Sequence, residues 1–69
     1  MKFTKFPERL KELRTAQGIS QMTLARATGL SQSAIAKWEL GKTEPTATAL
    51  FTLASYFHES ADYLIGLID

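Results

Sequence analysis

Between residues 18 and 42 the chain is punctuated so often that only short helices fit. The run Gly18-Ile19-Ser20-Gln21 is followed by Thr28-Gly29-Leu30-Ser31-Gln32 and then by Gly41. A serine hydroxyl placed just ahead of a helical run accepts a hydrogen bond from a free N–H of the first turn. The apolar residue before each serine meets another at the fourth helical position, Ile19 with Leu24 and Leu30 with Ile35. Glycine then ends each segment, as a left-handed cap does. The spacing predicts one helix over 21–28 and a second over 32–40, joined by Thr28-Gly29-Leu30-Ser31.

Two short helices joined by a glycine-containing turn of that length form the helix-turn-helix pattern, here about 20–41. The flanks read as helices too. Phe6, Leu10 and Leu13 fall at i, i+4 and i+7 in a segment over 7–17 that Pro7 can open and Gly18 ends. After a loop at Thr43-Glu44-Pro45, Thr46 can cap a helix carrying Leu50, Leu53, Ala54 and Phe57 on one face. Ser60 can cap a short last helix over 61–65, with Asp62 in its first turn and Gly66 after it. No segment alternates with period two, so no strand is expected. The expected fold is all-α, five short helices in one domain over 1–69. A chain of 69 residues leaves no room for a second.

The helix over 32–40 has two unlike sides. At ~100° per residue, Gln32, Ser33, Ala36 and Lys37 share one side and Ala34, Ile35 and Trp38 the other. The second belongs in a core, and Trp38 at this spacing is core rather than a stacking platform. The first carries hydrogen-bonding groups and a long cation. A major groove ~12 Å wide admits such a helix; Gln pairs bidentate with adenine and Lys reaches guanine acceptors. Most amphipathic helices have a polar face, so the face alone says little. Charge adds to it. The formal net charge of +1 hides a division: residues 1–43 hold all eight basic residues against three acids, a net +5. Residues 44–69 hold four acids and no base, a net −4. A basic half of this kind suits a polyanion.

The residues Gly18-Ile19-Ser20-Gln21, Leu24-Ala25, Gly29-Leu30-Ser31, Ile35, Trp38-Glu39 and Gly41-Lys42 together resemble the phage repressor/Cro helix-turn-helix family, also called the xenobiotic-response-element family. Pro45-Thr46, Leu50, Leu53-Ala54 and Asp62-Tyr63-Leu64 with Gly66 are similar to its fourth and fifth helices, so the likeness runs over about 6–67. It implies a compact five-helix, lambda-repressor-like domain. It also implies a sequence-specific, double-stranded-DNA-binding transcriptional regulator, expected to repress, acting in the cytoplasm at the nucleoid. By position it makes Gln32, Ser33 and Lys37 base-contacting. It makes Gln21, Ser31, Lys42 and Thr43 backbone-contacting, and Arg14 and Glu39 an internal ion pair. Two positions depart from the family pattern. Glu59 stands where an apolar residue is usual. Leu40 lies on the DNA-side stripe, where it either meets a thymine methyl or lies beyond the DNA.

Small size favours dimerisation. A homodimer on a pseudo-palindrome is expected, with Tyr63, Leu64, Leu67 and Ile68 as the contact. Enzyme readings fail on inventory. There is no cysteine and one histidine, His58, which reads as a loop residue after a helix. No phosphate loop or metalloprotease motif is present. No cofactor, metal, small-molecule ligand or membrane segment is expected. The rival reading is a protein-interaction module, such as the antitoxin of a toxin–antitoxin pair, in which the fold serves a protein partner. Such a module has no need of Gln32, Ser33, Lys37 and Lys42 together.

Overall fold

The computed structural model describes residues 2–69. Five helices follow in order: α1 (Phe6–Ala16), α2 (Gln21–Thr28), α3 (Gln32–Glu39), α4 (Ala47–Phe57) and α5 (Ala61–Ile65). No strand occurs among the described residues. The bounds of α2 and α5 are those read from the sequence. Helix α1 starts one residue earlier than expected, at Phe6, with Pro7 just inside it, and α3 ends at Glu39 with Leu40 as its cap.

The caps explain the bounds. The side chains of Ser20, Ser31, Thr46 and Ser60 accept hydrogen bonds from the N–H groups of Thr23, Ala34, Ala49 and Tyr63 at 3.0–3.1 Å. Each satisfies one otherwise orphaned donor. Lys5, ahead of α1, makes no such bond. Between α2 and α3 the chain reverses at Gly29, whose φ of 76° is left-handed. Its N–H donates to the Ala25 carbonyl at 2.8 Å, and Thr28 Oγ1 accepts from the Leu30 N–H while donating to the Leu24 carbonyl. His58, which follows α4 as the sequence reading expects, does the same work at φ 57° and is that helix's left-handed cap.

The core is Phe6 and Leu10 of α1, Leu24 and Ala25 of α2, Ile35 and Trp38 of α3, Ala49, Leu53 and Phe57 of α4, and Leu64 of α5. Trp38 is 6% exposed and meets Phe6 edge-on with ring centroids 6.2 Å apart. It is core, as its spacing predicts. Helix α3 packs on both α1 and α2, and α5 packs on α4 and α1. Cutting any of the six fully buried side chains from Leu, Ile or Phe to Ala removes about 2–5 kcal/mol. Glu59 is exposed and its N–H donates to the Ala54 carbonyl, so the departure from an apolar residue there buries no charge.

Candidate nucleic-acid interface

Helix α3 is held from behind by Ile35 and Trp38, which fixes what it turns outward. Ser33 and Lys37 are exposed, and Gln32 and Ala36 are half-buried beside them. Leu40, at the end of the same stripe, is 69% exposed. Lys42 and Thr43 are exposed in the loop that follows, where the Lys42 N–H closes α3 by donating to the Lys37 carbonyl at 2.9 Å. Ser31 is exposed, with its hydroxyl accepting the capping bond.

Behind this face lies a connected polar group. Arg14 Nε donates to Glu39 Oε2 at 2.7 Å and Arg14 Nη2 to Glu39 Oε1 at 2.8 Å, a two-pronged pair. The side chains are 12% and 5% exposed. Arg14 Nη1 also donates to the Ile19 carbonyl, so α1, the α1–α2 turn and the end of α3 are tied at one point. Burial alone pushes the Glu39 carboxyl up. The hydrogen bonds from Arg14 and Gln21, with the attraction of Arg14 and Lys11, outweigh that and hold it below the ordinary carboxylate range. The Arg14 guanidinium is pushed up, chiefly by its bond to Glu39 and against the pull of burial.

Gln21 extends the group. Its Nε2 donates to Glu39 Oε1 at 3.1 Å, and its Oε1 accepts from Gln32 Nε2 at 2.9 Å. The half-buried glutamine at the start of α2 thus joins the internal ion pair to the first residue of α3. The sequence reading placed Gln21 against the DNA backbone. The structure adds a link it missed, because the contacts come from residues 18 and 11 positions away. One N–H of Gln21 takes part in neither bond.

The C-terminal residues behave differently from one another. Leu64 is fully buried in the protomer's own core. That corrects its assignment to a dimer contact: it has no surface left to give, since the face of a five-residue helix packed on α1 and α4 is its inward one. Tyr63 is half-buried, with the Arg9 guanidinium 4.2 Å from its ring centroid. Leu67 and Ile68 are 71% and 50% exposed. Arg9 itself escaped the sequence reading. It donates to the Tyr63 and Ile68 carbonyls and lies 3.9 Å from the Asp69 carboxylate, clamping the end of α5 to α1. A second feature the sequence did not signal is an open apolar groove between α4 and α5, lined by Leu50, Phe51, Ala54, Glu59 and Ala61, with Phe51 72% exposed. Among the described residues no three His, Asp or Glu side chains group to hold a metal ion, and no helix is long and apolar enough to cross a membrane.

Known proteins share this arrangement. A family model described as helix-turn-helix matches residues 10–64. The SPbeta prophage-derived HTH-type transcriptional regulator YonR of Bacillus subtilis is 38% identical over 60 residues, 87% of this chain and 56% of that protein. Repressor protein C2 of Salmonella phage P22 is 36% identical over 58 residues, 84% of this chain and 27% of that one. The HTH-type transcriptional activator BcrR of Enterococcus faecalis is 36% identical over 61 residues, 88% of this chain and 30% of that protein. The chain thus spans between about a quarter and just over half of these relatives. Among solved structures, the restriction-modification controller protein C.AhdI from Aeromonas hydrophila superposes with a TM-score of 0.80 at 37% identity, covering 90% of this chain and 94% of that one. With five helices, the capped turn between α2 and α3 and these likenesses in hand, the chain belongs to the helix-turn-helix family of the phage-repressor and Cro type.

Proposed function

We propose that this protein is a sequence-specific, double-stranded-DNA-binding regulator of transcription, acting as a repressor. The observation that carries the reading is the outward stripe of α3, where Gln32, Ser33 and Lys37 stand together on a helix braced by Trp38 and by the Arg14–Glu39 pair. Gln32 and Lys37 have the donors and acceptors that read base edges in a major groove. Ser31, Gln21, Lys42 and Thr43 surround that stripe and supply phosphate contacts, which position the helix without specifying sequence. The work is binding rather than catalysis, and it takes place at the nucleoid in the cytoplasm.

The protein acts as a homodimer. One helix covers only a few base pairs, and two half-sites multiply the discrimination. Leu67 and Ile68, exposed beside the rim of Tyr63, are the contact. The test is selection of bound sites from random DNA by the purified protein and by Gln32→Ala. The reading requires an inverted-repeat consensus for the wild type. It also requires loss of roughly 1–3 kcal/mol on that site for the variant, with relaxed preference at one base position per half-site. No enrichment at low salt overturns it and favours the protein-interaction module; an identical consensus for both proteins takes Gln32 out of the reading set.

A further inference from the structure

We propose that Glu39 acts as a positioning residue that sets which edge of the Gln32 amide faces the DNA, through Gln21. The inference rests on the reading of Gln32 as a base-contacting residue. It follows from the donor and acceptor inventory of three side chains. An ionised carboxylate only accepts. Glu39 Oε1 receives Arg14 Nη2 at 2.8 Å and the Gln21 amide at 3.1 Å. The edge of Gln21 that meets it must therefore be the NH2 edge, which turns the Gln21 carbonyl towards α3. That carbonyl lies 2.9 Å from the Gln32 amide, so the Gln32 edge that meets it must in turn be NH2. Each amide has one orientation, and the direction is dictated from the buried end.

The consequence lies at the outer end. Gln32 spends one N–H on Gln21 and keeps its carbonyl oxygen and one N–H free. Adenine offers an N6 donor and an N7 acceptor in the major groove, which match that pair; guanine offers two acceptors, O6 and N7. With the opposite orientation Gln32 would commit its carbonyl to Gln21 and hold out two N–H groups, the complement of guanine. Glu39 thus biases its reader towards adenine without approaching the DNA.

Replacing Glu39 by glutamine removes this constraint. Both carboxylate oxygens accept from Arg14, and Oε1 also accepts from Gln21, so the single carbonyl of the new amide cannot replace both and its NH2 edge is free to face Gln21. With that edge inward Gln21 flips, offers its NH2 to Gln32, and Gln32 flips in turn, so the direction of the chain is no longer fixed. The experiment compares site selection from random DNA for wild type, Glu39→Gln, Gln21→Met, Arg14→Lys and Gln32→Ala, at a temperature where circular dichroism shows each folded. The expected result is a fall of roughly tenfold in adenine-over-guanine preference for Glu39→Gln and Gln21→Met at the position relaxed in Gln32→Ala. Arg14→Lys keeps the carboxylate, so it is expected to lower stability and leave that preference in place. Were the pair only structural, Arg14→Lys and Glu39→Gln would change the preference alike, and that outcome overturns the proposal. An unchanged preference in Glu39→Gln, with Gln32→Ala relaxed, overturns the positioning role and leaves the base-reading role standing. An unrelaxed Gln32→Ala overturns both.

Discussion

Glu39 accepts three hydrogen bonds on two oxygens while its side chain is 5% exposed. Removing one partner of such a pair leaves the other charge buried and unpaired, which costs about 3–5 kcal/mol. Glu39→Ala is therefore expected to lower stability to urea by that amount, and the exposed Glu12→Ala by less than about 0.5 kcal/mol. The pH dependence has a definite sign. Unfolded, a glutamate titrates near ~4.3; folded, this one titrates lower. As acid is added the unfolded chain takes the proton first. The stability Glu39 contributes is thus full above the ordinary glutamate value and is lost as pH falls through the lowered one. Thermal midpoints measured downward from neutral pH should fall less steeply in Glu39→Gln than in wild type. Lys42 belongs to the same scale. It is exposed at the edge of the reading face, and Lys42→Ala is expected to weaken binding to all sequences alike. The log–log salt slope should drop by about one unit, and an unchanged slope would take Lys42 out of the interface.

At the level of elements, α2 and α3 were legible because their determinants are local. Cap, staple and closing glycine lie within a dozen positions, and the structure keeps them in register. Ser31→Ala is accordingly expected to cost about 1 kcal/mol, read as a lowered thermal midpoint with DNA absent, because the Ala34 N–H loses its acceptor. The Arg14–Glu39 pair was legible only through family resemblance, since 25 residues separate its members. What could not be read is what five residues of α5 do. So short a helix has no periodicity that tells its inward face from its outward one, so Leu64 was grouped with Leu67 although one is buried and the other exposed. The Arg9 clamp spans 54 residues to the Tyr63 carbonyl and has no local signature either. His58 does follow the end of a helix, as read, but its left-handed capping conformation was not legible, because that place is usually taken by glycine and sometimes asparagine.

For the whole molecule, the division of charge along the sequence acquires a spatial meaning. Lys5 and Arg9 lie within 3.9 Å of Asp69, so part of the basic half is turned to the acidic half rather than to a polyanion. With a net charge of +1, a lone protomer has little excess charge for DNA, and two-fold pairing doubles the contacts. The proposed dimer predicts footprinted half-sites centred roughly 34–36 Å apart. Leu67→Asp is expected to shift the complex from two chains per duplex to one, measured by analytical ultracentrifugation. Two chains retained in that variant would move the contact elsewhere, with the groove beside Phe51 the next surface to mutate.

Helix α3, the proposed reading helix, has eight residues. Isolated helices shorter than about 12–15 residues are marginal in water, so α3 owes its shape to Ile35 and Trp38 being held by the rest of the protein. Recognition and folding are then linked equilibria: an unfolded chain has no reader, and DNA that engages only the folded form draws the population towards it. At a free duplex concentration about 100 times the dissociation constant, that linkage adds about 2.7 kcal/mol of stability. In a chain this small such an increment moves the melting temperature by more than about 10 °C. A specific duplex should therefore stabilise the fold of the proposed regulator, raising the midpoint in a thermal-shift assay in proportion to how well its sequence is read. A scrambled duplex of the same length should raise it far less.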